Sequence, residues 1–468
     1  MKGITPALLQ GFAYQPTEGQ KNLFSKFEVF LLDKSNDRKA LVVKGYAGTG
    51  KTTAIKAITD ILPSFNFRTV LMAPTGRAAK VMTSYTGKKA GTIHRTIYRL
   101  AVSQKSGGFY FKRVANADRN TLYIVDEASM ISDDRDFASK SLLEDLIEFV
   151  FSSPTNRLLL IGDVAQLPPV GQKSSPALDY QHLNFRYDIQ ADMVELTEVV
   201  RQVAGSGILV NATNLRSQLD CHVPEISFRT AGFKDVFKMT AEKLEDGLRY
   251  AYDKYGLENT AIICRSNWQA VRYNELIRRN ILFYEEELEA GDVLMVVKNN
   301  YLWLPESSKA GFIANGDFAE VRKIISNEER YGFRFAYLRL QLLDYPDEES
   351  FDAWVILDTL HSKTPALAED EQQKLYNAVL LEHAHESSKK KKQEAMQKDV
   401  YLNALQIKFA YALTCHKSQG GQWKLVFIDQ GLIRDQEVDN EYVRWLYTGI
   451  TRASEELYLM NFKPEFFR

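Results

Sequence analysis

Gly45-Tyr46-Ala47-Gly48-Thr49-Gly50-Lys51-Thr52 stands between an apolar run, Ala40-Leu41-Val42-Val43-Lys44, and a helix-forming stretch, Thr53-Ala54-Ile55-Lys56-Ala57-Ile58. Glycines at both ends of the gap allow backbone angles that a side chain would forbid, so successive N–H groups can converge on an anion. The helix that follows turns its positive dipole end toward the same point. Lys51 can then reach β- and γ-phosphates, and the Thr52 hydroxyl can ligate Mg²⁺. The stretch predicts a strand–loop–helix that binds a nucleoside triphosphate. Its binding residues are expected to be Gly45, Ala47, Gly48, Thr49, Gly50, Lys51, Thr52 and Thr53.

Working toward the N-terminus, Thr17-Glu18-Gly19-Gln20 opens an amphipathic helix through Phe24, Phe27 and Phe30, with Thr17 as its cap. Taken alone, Gln20 is a first-turn residue. In the other direction, Thr69-Val70-Leu71-Met72-Ala73 is a buried strand that runs into Pro74-Thr75-Gly76-Arg77-Ala78-Ala79-Lys80. Small and basic residues just past a strand end lie on the ligand-binding edge of a parallel sheet, and Gly91-Thr92-Ile93-His94-Arg95 has the same character. Two alternating runs, Tyr98–Val102 and Phe109–Arg113, flank Gly107-Gly108 and predict a projecting β-hairpin.

Leu122-Tyr123-Ile124-Val125 predicts a central strand that delivers Asp126 and Glu127 at its tip. Adjacent carboxylates at a buried strand end are unfavourable without cations nearby. Asp126 is therefore expected to hold a hydrated Mg²⁺ and Glu127 to orient an attacking water. The next strand runs into Gly162-Asp163-Val164-Ala165-Gln166-Leu167-Pro168-Pro169-Val170, where the Gln166 amide suits γ-phosphate sensing. Arg201 follows the apolar strand around Leu196. By itself it is a solvated or salt-bridged side chain or a finger onto phosphate.

A second set of strands begins at Ala261-Ile262-Ile263-Cys264 and continues through Gly291–Val297. Between about Tyr301 and Tyr401 the pattern changes to short alternating strands with Asn-Gly turns, which predicts a small antiparallel barrel. That region ends in polar helices carrying Lys389 to Lys392, a solvated face in the first instance. The α/β pattern resumes at Ile407–Leu413, followed by Thr414-Cys415-His416-Lys417-Ser418-Gln419-Gly420-Gly421. Leu446-Tyr447-Thr448-Gly449-Ile450-Thr451-Arg452-Ala453 precedes the last strand.

Bulk properties set outer limits. The chain has 468 residues, 45% hydrophobic and 25% charged, with a formal net charge of −1. That balance excludes a protein coated in positive charge, so any nucleic-acid reading rests on motifs. Cys221, Cys264 and Cys415 are widely spaced and lack metal or redox spacing, which suits a reducing compartment. No apolar run reaches membrane-span length, and Met1 to Gln20 lacks a secretory core. A soluble cytoplasmic protein without membrane association is expected.

The ordered set resembles the superfamily 1 helicases, in particular the RecD-like, Dda-like superfamily 1B branch. The resemblance rests on residues 45–52, 73–80, 125–130, 162–170, 196–202, 414–420 and 447–453, and so spans nearly the whole chain. It implies two RecA-like P-loop domains with ATP and Mg²⁺ between them. It also implies an inserted β-hairpin acting as a strand-splitting pin and an inserted small SH3-like β-barrel. Implied boundaries are 1–185 for the first domain with the pin at about 96–116, 186–300 and 402–468 for the second, and 301–401 for the barrel and helical insertion.

By the same resemblance, Lys51, Thr52, Asp126 and Glu127 match catalytic and metal-holding positions, Gln20 the adenine-reading glutamine, and Gln166 the γ-phosphate sensor. Arg201 and Arg452 match two arginine fingers. Gly420 and Gln422 would approach the nucleotide; a glutamate usually stands where Gln422 is, so a weakened ribose contact is implied. Single-stranded DNA would be held through its phosphates by Pro74, Thr75, Arg77, Thr92, His94, Thr414, His416 and Lys417.

The implied activity is ATP-driven 5′ to 3′ translocation with duplex unwinding, by a monomer acting on single strands and single/double-strand junctions. Single-stranded-DNA-binding, replication or repair proteins are the implied partners. Three alternatives stay open: a translocase that never separates strands, an RNA-directed motor, and a subunit of a nuclease complex.

Overall fold

The structure is a computed structural model that describes residues 3–33, 35, 37–102, 109–134, 140–200, 205–219, 221–305, 308, 310–385, 388–431 and 438–467. The first strands along the chain are β1 (Lys39–Gly45), β2 (Arg68–Ala73), β3 (Ala90–Thr92), β4 (Tyr98–Val102), β5 (Phe109–Arg113), β6 (Thr121–Val125), β7 (Arg157–Gly162) and β8 (Gln190–Leu196). Six of them form one parallel sheet in the order β3-β2-β6-β7-β1-β8. The interior strands are near-continuous apolar runs because both faces are covered, as parallel sheets require. On one face Leu41 and Val43 pack against Leu23, Phe24 and Phe27 of the helix Glu18–Leu32 and Ile55 and Ile58 of the helix Lys51–Ile61. On the other, Val42, Leu158 and Leu160 pack against Leu143, Leu146 and Ile147 of the helix Leu142–Val150. Each such aliphatic side chain taken out of water stabilises the fold by about 1.5–3 kcal/mol.

A second parallel sheet uses β9 (Val236–Met239) and β10 (Thr260–Cys264) with three strands from the end of the chain. Between them lie β11 (Val293–Val296), β12 (Phe318–Arg330), β13 (Phe333–Leu342), β14 (Phe351–Ile356) and β15 (Leu405–Phe409), which close into a barrel. The remaining strands, β16 (Ala412–Thr414), β17 (Trp423–Asp429) and β18 (Ala453–Met460), complete the order β16-β10-β17-β18-β9. The chain thus has two RecA-like α/β units with a small barrel inserted in the second.

The strand readings at the barrel's edges are corrected. Gly291–Val297 and Ile407–Leu413 read as strands of the α/β layer, yet Val293–Val296 and Leu405–Phe409 are barrel staves paired with each other. The stretch 405–413 serves two sheets. Ala410 N–H donates to Val293 O on the barrel side, Tyr411 O accepts from Ile262 N on the sheet side, and the Asn274 side chain holds the corner between Phe409 and Ala412.

The hairpin reading agrees with antiparallel pairing of Tyr98 with Arg113 through Val102 with Phe109; its Gly107-Gly108 tip lies outside the described residues. The lysine run opens the helix Lys389–Lys398. Among the described residues, no helix is long and apolar enough to cross a membrane.

Candidate functional site

β1 stops at Gly45 and the helix Lys51–Ile61 starts six residues later. Between them Gly48 and Gly50 have φ of 75° and 79°, left-handed values that glycine alone adopts without strain. A Cβ on Gly50 would lie 2.4 Å from Gln20 Nε2, and one on Gly48 3.2 Å from the Leu209 methyls. The Thr49 hydroxyl donates to Tyr46 O at 2.8 Å and pins the turn. Lys51 Nζ donates to Gly45 O at 2.8 Å and Tyr46 O at 2.9 Å, and lies 3.9 Å from Asp163 Oδ2.

Gln20 sits directly behind this loop, 2% exposed. Its amide oxygen accepts from Thr17 N–H in a capping box at the start of Glu18–Leu32, and its Nε2 donates to Thr49 O at 3.1 Å. Both ends of the amide brace backbone: the helix entry on one side, the phosphate loop on the other.

β6 delivers the acidic pair. Asp126 Oδ1 accepts from Glu127 N–H at 2.9 Å and Oδ2 from the Tyr85 hydroxyl at 2.7 Å. Glu127 has φ of 53°, a strained position that turns its carboxylate out of the strand line. Desolvation pushes the Glu127 carboxyl above the usual range, while Arg452, 4.0 Å away, and Lys51 pull it back. Arg452 itself is 6% exposed and held by Thr448 O, Gly421 O and the Thr451 hydroxyl at 3.1, 3.1 and 3.2 Å.

The loop after β7 is buried against the second unit. A Cβ on Gly162 would lie 2.9 Å from Ser129 N, so the strand end passes close to the turn that follows the acidic pair. Asp163 Oδ1 accepts from Ala165 N–H, and its backbone oxygen accepts from Gln166 N–H. Gln166 is 5% exposed and, among the described residues, its side-chain oxygen has no hydrogen-bond partner.

Ala47, Gly48, Lys51, Thr52, Asp126, Glu127, Gln166, Gly420, Gln422 and Arg452 all line one cavity of about 450 Å³ between the two sheets. Gly45, Thr49, Gly50 and Thr53 form the loop and first turn behind it. Arg201 lies outside the described residues. For a divalent cation, the donors on hand are the Thr52 hydroxyl and the Asp126 carboxylate; among the described residues there is no cluster of three or more His, Cys, Asp or Glu able to hold a metal unaided. One or two protein oxygens completed by phosphates and water is the donor set Mg²⁺ takes at nucleotide sites, so these residues fit it.

The residues expected to hold DNA do not line that cavity, and they divide into two groups. Thr75 caps the helix Gly76–Thr86 through Ala78 N–H, and a Cβ on Gly420 of the second unit would come within 3.0 Å of its hydroxyl. Pro74 precedes it at the strand end. Thr92 caps the short helix Ile93–Ile97 by accepting from Arg95 N–H. His94 packs beside Tyr98 and Phe312, and desolvation pushes its imidazole down to about 4, so it is neutral near pH 7. Thr414 precedes the turn holding His416 and Lys417; Lys417 Nζ donates to Asn315 Oδ1 of the barrel at 2.6 Å.

Arg77 is held across the units. Its guanidinium lies 4.5 Å from the Phe318 ring centre and 4.1 Å from that of Trp423, and so rivets the first unit to the barrel and the second sheet. Stacking takes the faces of the guanidinium and leaves its in-plane N–H groups as donors. Arg77→Ala is expected to destabilise the chain by about 2 kcal/mol or more, read as a lower thermal midpoint. An unchanged midpoint would place the guanidinium outside the stack.

Some residues at the cavity carried no sequence signal strong enough to single out. Tyr85 is one helix position among several. Asp163 was visible inside its motif but had no role. Tyr447 is 1% exposed; its hydroxyl accepts from Ala47 N–H and donates to Asp163 Oδ2, both at 2.7 Å.

Two family models match separate stretches of the chain. The AAA domain family matches residues 29–219, and the UvrD-like helicase C-terminal domain family matches residues 409–460. The chain is 34% identical over 200 residues to an ATP-dependent RecD2 DNA helicase of Deinococcus radiodurans, covering 43% of this chain and 25% of that protein. It is 30% identical over 203 residues to the ATP-dependent DNA helicase dda of Enterobacteria phage T4, covering 43% of this chain and 42% of that one. The chain therefore spans about a quarter of the first relative's length and about two fifths of the second's. Among solved structures, a Pif1 helicase from Bacteroides in complex with ADP-AlF3 and ssDNA is 16% identical, with a TM-score of 0.46 over 97% of this chain and 95% of that one.

Proposed function

On the premise that this chain is a superfamily 1B helicase of the RecD-like and Dda-like kind, we propose that it hydrolyses ATP to move 5′ to 3′ along single-stranded DNA and to separate duplex strands. The observation that carries this reading is the shared cavity: Lys51, Asp126, Glu127 and Gln166 come from one sheet, and Arg452 comes from the other. Such a site works only when the two units meet, so hydrolysis and domain movement are linked by construction.

Lys51 and the glycine loop hold the β- and γ-phosphates, with Gly420 and Gln422 closing the cavity from the opposite side. Thr52 and Asp126 would hold Mg²⁺, which when bound neutralises phosphate charge. Glu127 takes a proton from the attacking water, and the Gln166 oxygen accepts from that water or from its shell. Arg452 and Arg201 neutralise charge developing on the transferred phosphoryl group. Gln20 acts on adenine only if its amide releases Thr49 O; in its present place it stiffens the loop.

Thr75, Thr92, His94, Thr414, His416 and Lys417 meet the DNA backbone, a mode of binding that is sequence-tolerant and salt-sensitive. Thr75 and Gly420 come from opposite units and lie so close that a Cβ on Gly420 would be 3.0 Å from the Thr75 hydroxyl. A change in the cavity between the units therefore moves one grip on the strand relative to the other. The 98–113 hairpin is the strand-splitting element, and the protein acts as a cytoplasmic monomer at single/double-strand junctions.

The test is unwinding of otherwise identical duplexes carrying a 5′ or a 3′ single-stranded tail, with and without ATP. Separation of the 5′-tailed duplex alone, and only with ATP, is the expected result. Separation from the 3′ tail would reverse the direction, and DNA-stimulated hydrolysis with neither duplex opened would leave a translocase.

A further inference from the structure

The helix Asn440–Ile450 brings more against the first unit than the arginine that follows it. Residues 444, 447, 448, 451 and 452 are spaced three or four apart and so share one face. That face meets the 163–167 loop of the first unit. Arg444 Nη1 donates to Val164 O and Gln166 O, and the Thr448 hydroxyl accepts from Leu167 N–H at 2.9 Å. From the preceding turn, Gln419 Nε2 donates to Leu167 O at 2.7 Å.

Tyr447 differs from these because its hydroxyl touches two loops at once: the Ala47 N–H of the phosphate loop and the Asp163 carboxylate that shapes the loop carrying Gln166. Asp163 is 2% exposed. Without the hydroxyl, its Oδ2 would lose its neutral donor and face Lys51 Nζ, 3.9 Å away, as nearest cation. The lysine would then be drawn off the phosphate position.

We propose that Tyr447 is a positioning residue that licenses hydrolysis: its hydroxyl sets Lys51 and Gln166 for reaction only while the Asn440–Ile450 helix is seated on the first unit. This role differs from that of an arginine finger, since a neutral phenol supplies no charge to the reacting phosphate. It rests on the reading of the cavity as an ATPase site.

The experiment uses the full chain with saturating single-stranded DNA. Steady-state ATPase is measured for the wild type, Tyr447→Phe, Asp163→Asn, the double variant, and Lys51→Ala as control. Tyr447→Phe keeps the ring and removes only the hydroxyl. Its kcat is expected to fall roughly 10- to 100-fold, the effect of losing one buried hydrogen bond to a charged group. The KM for ATP should stay within about threefold. The double variant is expected to be no slower than the slower single variant, because both changes break the same link.

A Tyr447→Phe enzyme at the wild-type rate, or losses in the two single variants that multiply independently, would overturn the role. So would a kcat loss matched by an equal fall in thermal midpoint and restored by cooling. A wild type no faster than Lys51→Ala would instead overturn the ATPase reading, and this role with it. An active wild type with an unaffected Tyr447→Phe removes Tyr447 alone.

Discussion

Lys51→Ala is expected to lower ATP hydrolysis by about 10³-fold or more and to abolish unwinding, while single-stranded DNA is still bound. The size follows from what the side chain does: it is a full positive charge delivered beside the phosphates in a cavity where water screens poorly. The fold should survive. The turn that displays Lys51 is shaped by left-handed Gly48 and Gly50 and by the Thr49 hydroxyl on Tyr46 O, none of which needs the ammonium. Lys51 now donates to two loop carbonyls, Gly45 O and Tyr46 O, which water can reach once the side chain is shortened. A thermal midpoint within a few degrees of the wild type, together with lost turnover, is therefore the expected pair of readouts. Wild-type turnover would remove the phosphate loop from the chemistry. DNA affinity that collapsed along with turnover would place the lysine on the strand rather than on the nucleotide.

How much of this was legible in the sequence depended on whether a group's partners lie nearby in the chain. The phosphate loop is a local device: strand, glycines, lysine and helix are contiguous, and the structure builds them with little help from elsewhere. The same holds for Asp126 and Glu127 at the tip of β6, and for Gly162–Gln166 past β7, because parallel sheets put chemistry at strand ends. The bringing together of Arg452 with Glu127 is not local, and it was reached by resemblance of the motif, not by its spacing.

What stayed hidden depended on distant partners. Arg77 looks like a phosphate ligand in Thr-Gly-Arg-Ala, and nothing near it announces that Phe318 and Trp423 will close over it. Gln20 stands in the first turn, as its place in the sequence suggests, but that its amide also braces the Thr49 carbonyl depends on a loop 29 residues away. The barrel's closing pair, Val293–Val296 with Leu405–Phe409, joins segments about a hundred residues apart. Leu405–Phe409 alternates through Gln406 and Lys408 while Phe409–Leu413 is apolar throughout, but no turn residue separates the two to mark the change of sheet at Ala410. Tyr447 escaped notice for the same reason: its partners, Ala47 and Asp163, lie 400 and 284 positions away.

Arg452→Ala is expected to lower turnover on the order of 10³-fold, as removal of an arginine finger does, with a second signature in its pH dependence. The guanidinium is 4.0 Å from Glu127 and draws that carboxyl down against the desolvation that pushes it up. Removing it leaves desolvation less opposed, so the Glu127 pKa rises further. Proton abstraction needs the carboxylate form. Activity is lost as pH falls through the raised value, so the acid limb of the kcat profile is expected to move to higher pH in the variant. Arg452→Lys keeps a charge but loses the fork that binds Thr448 O, Gly421 O and Thr451 together. It should therefore recover part of the pH shift and little of the rate. The profile is measured as DNA-stimulated ATPase across the acid range under saturating ATP. A near-normal rate for Arg452→Ala would take the residue out of the site. A depressed rate with an unmoved acid limb would keep the finger but break its link to Glu127, leaving the acidic residue to be set by Lys51 and by its own burial alone.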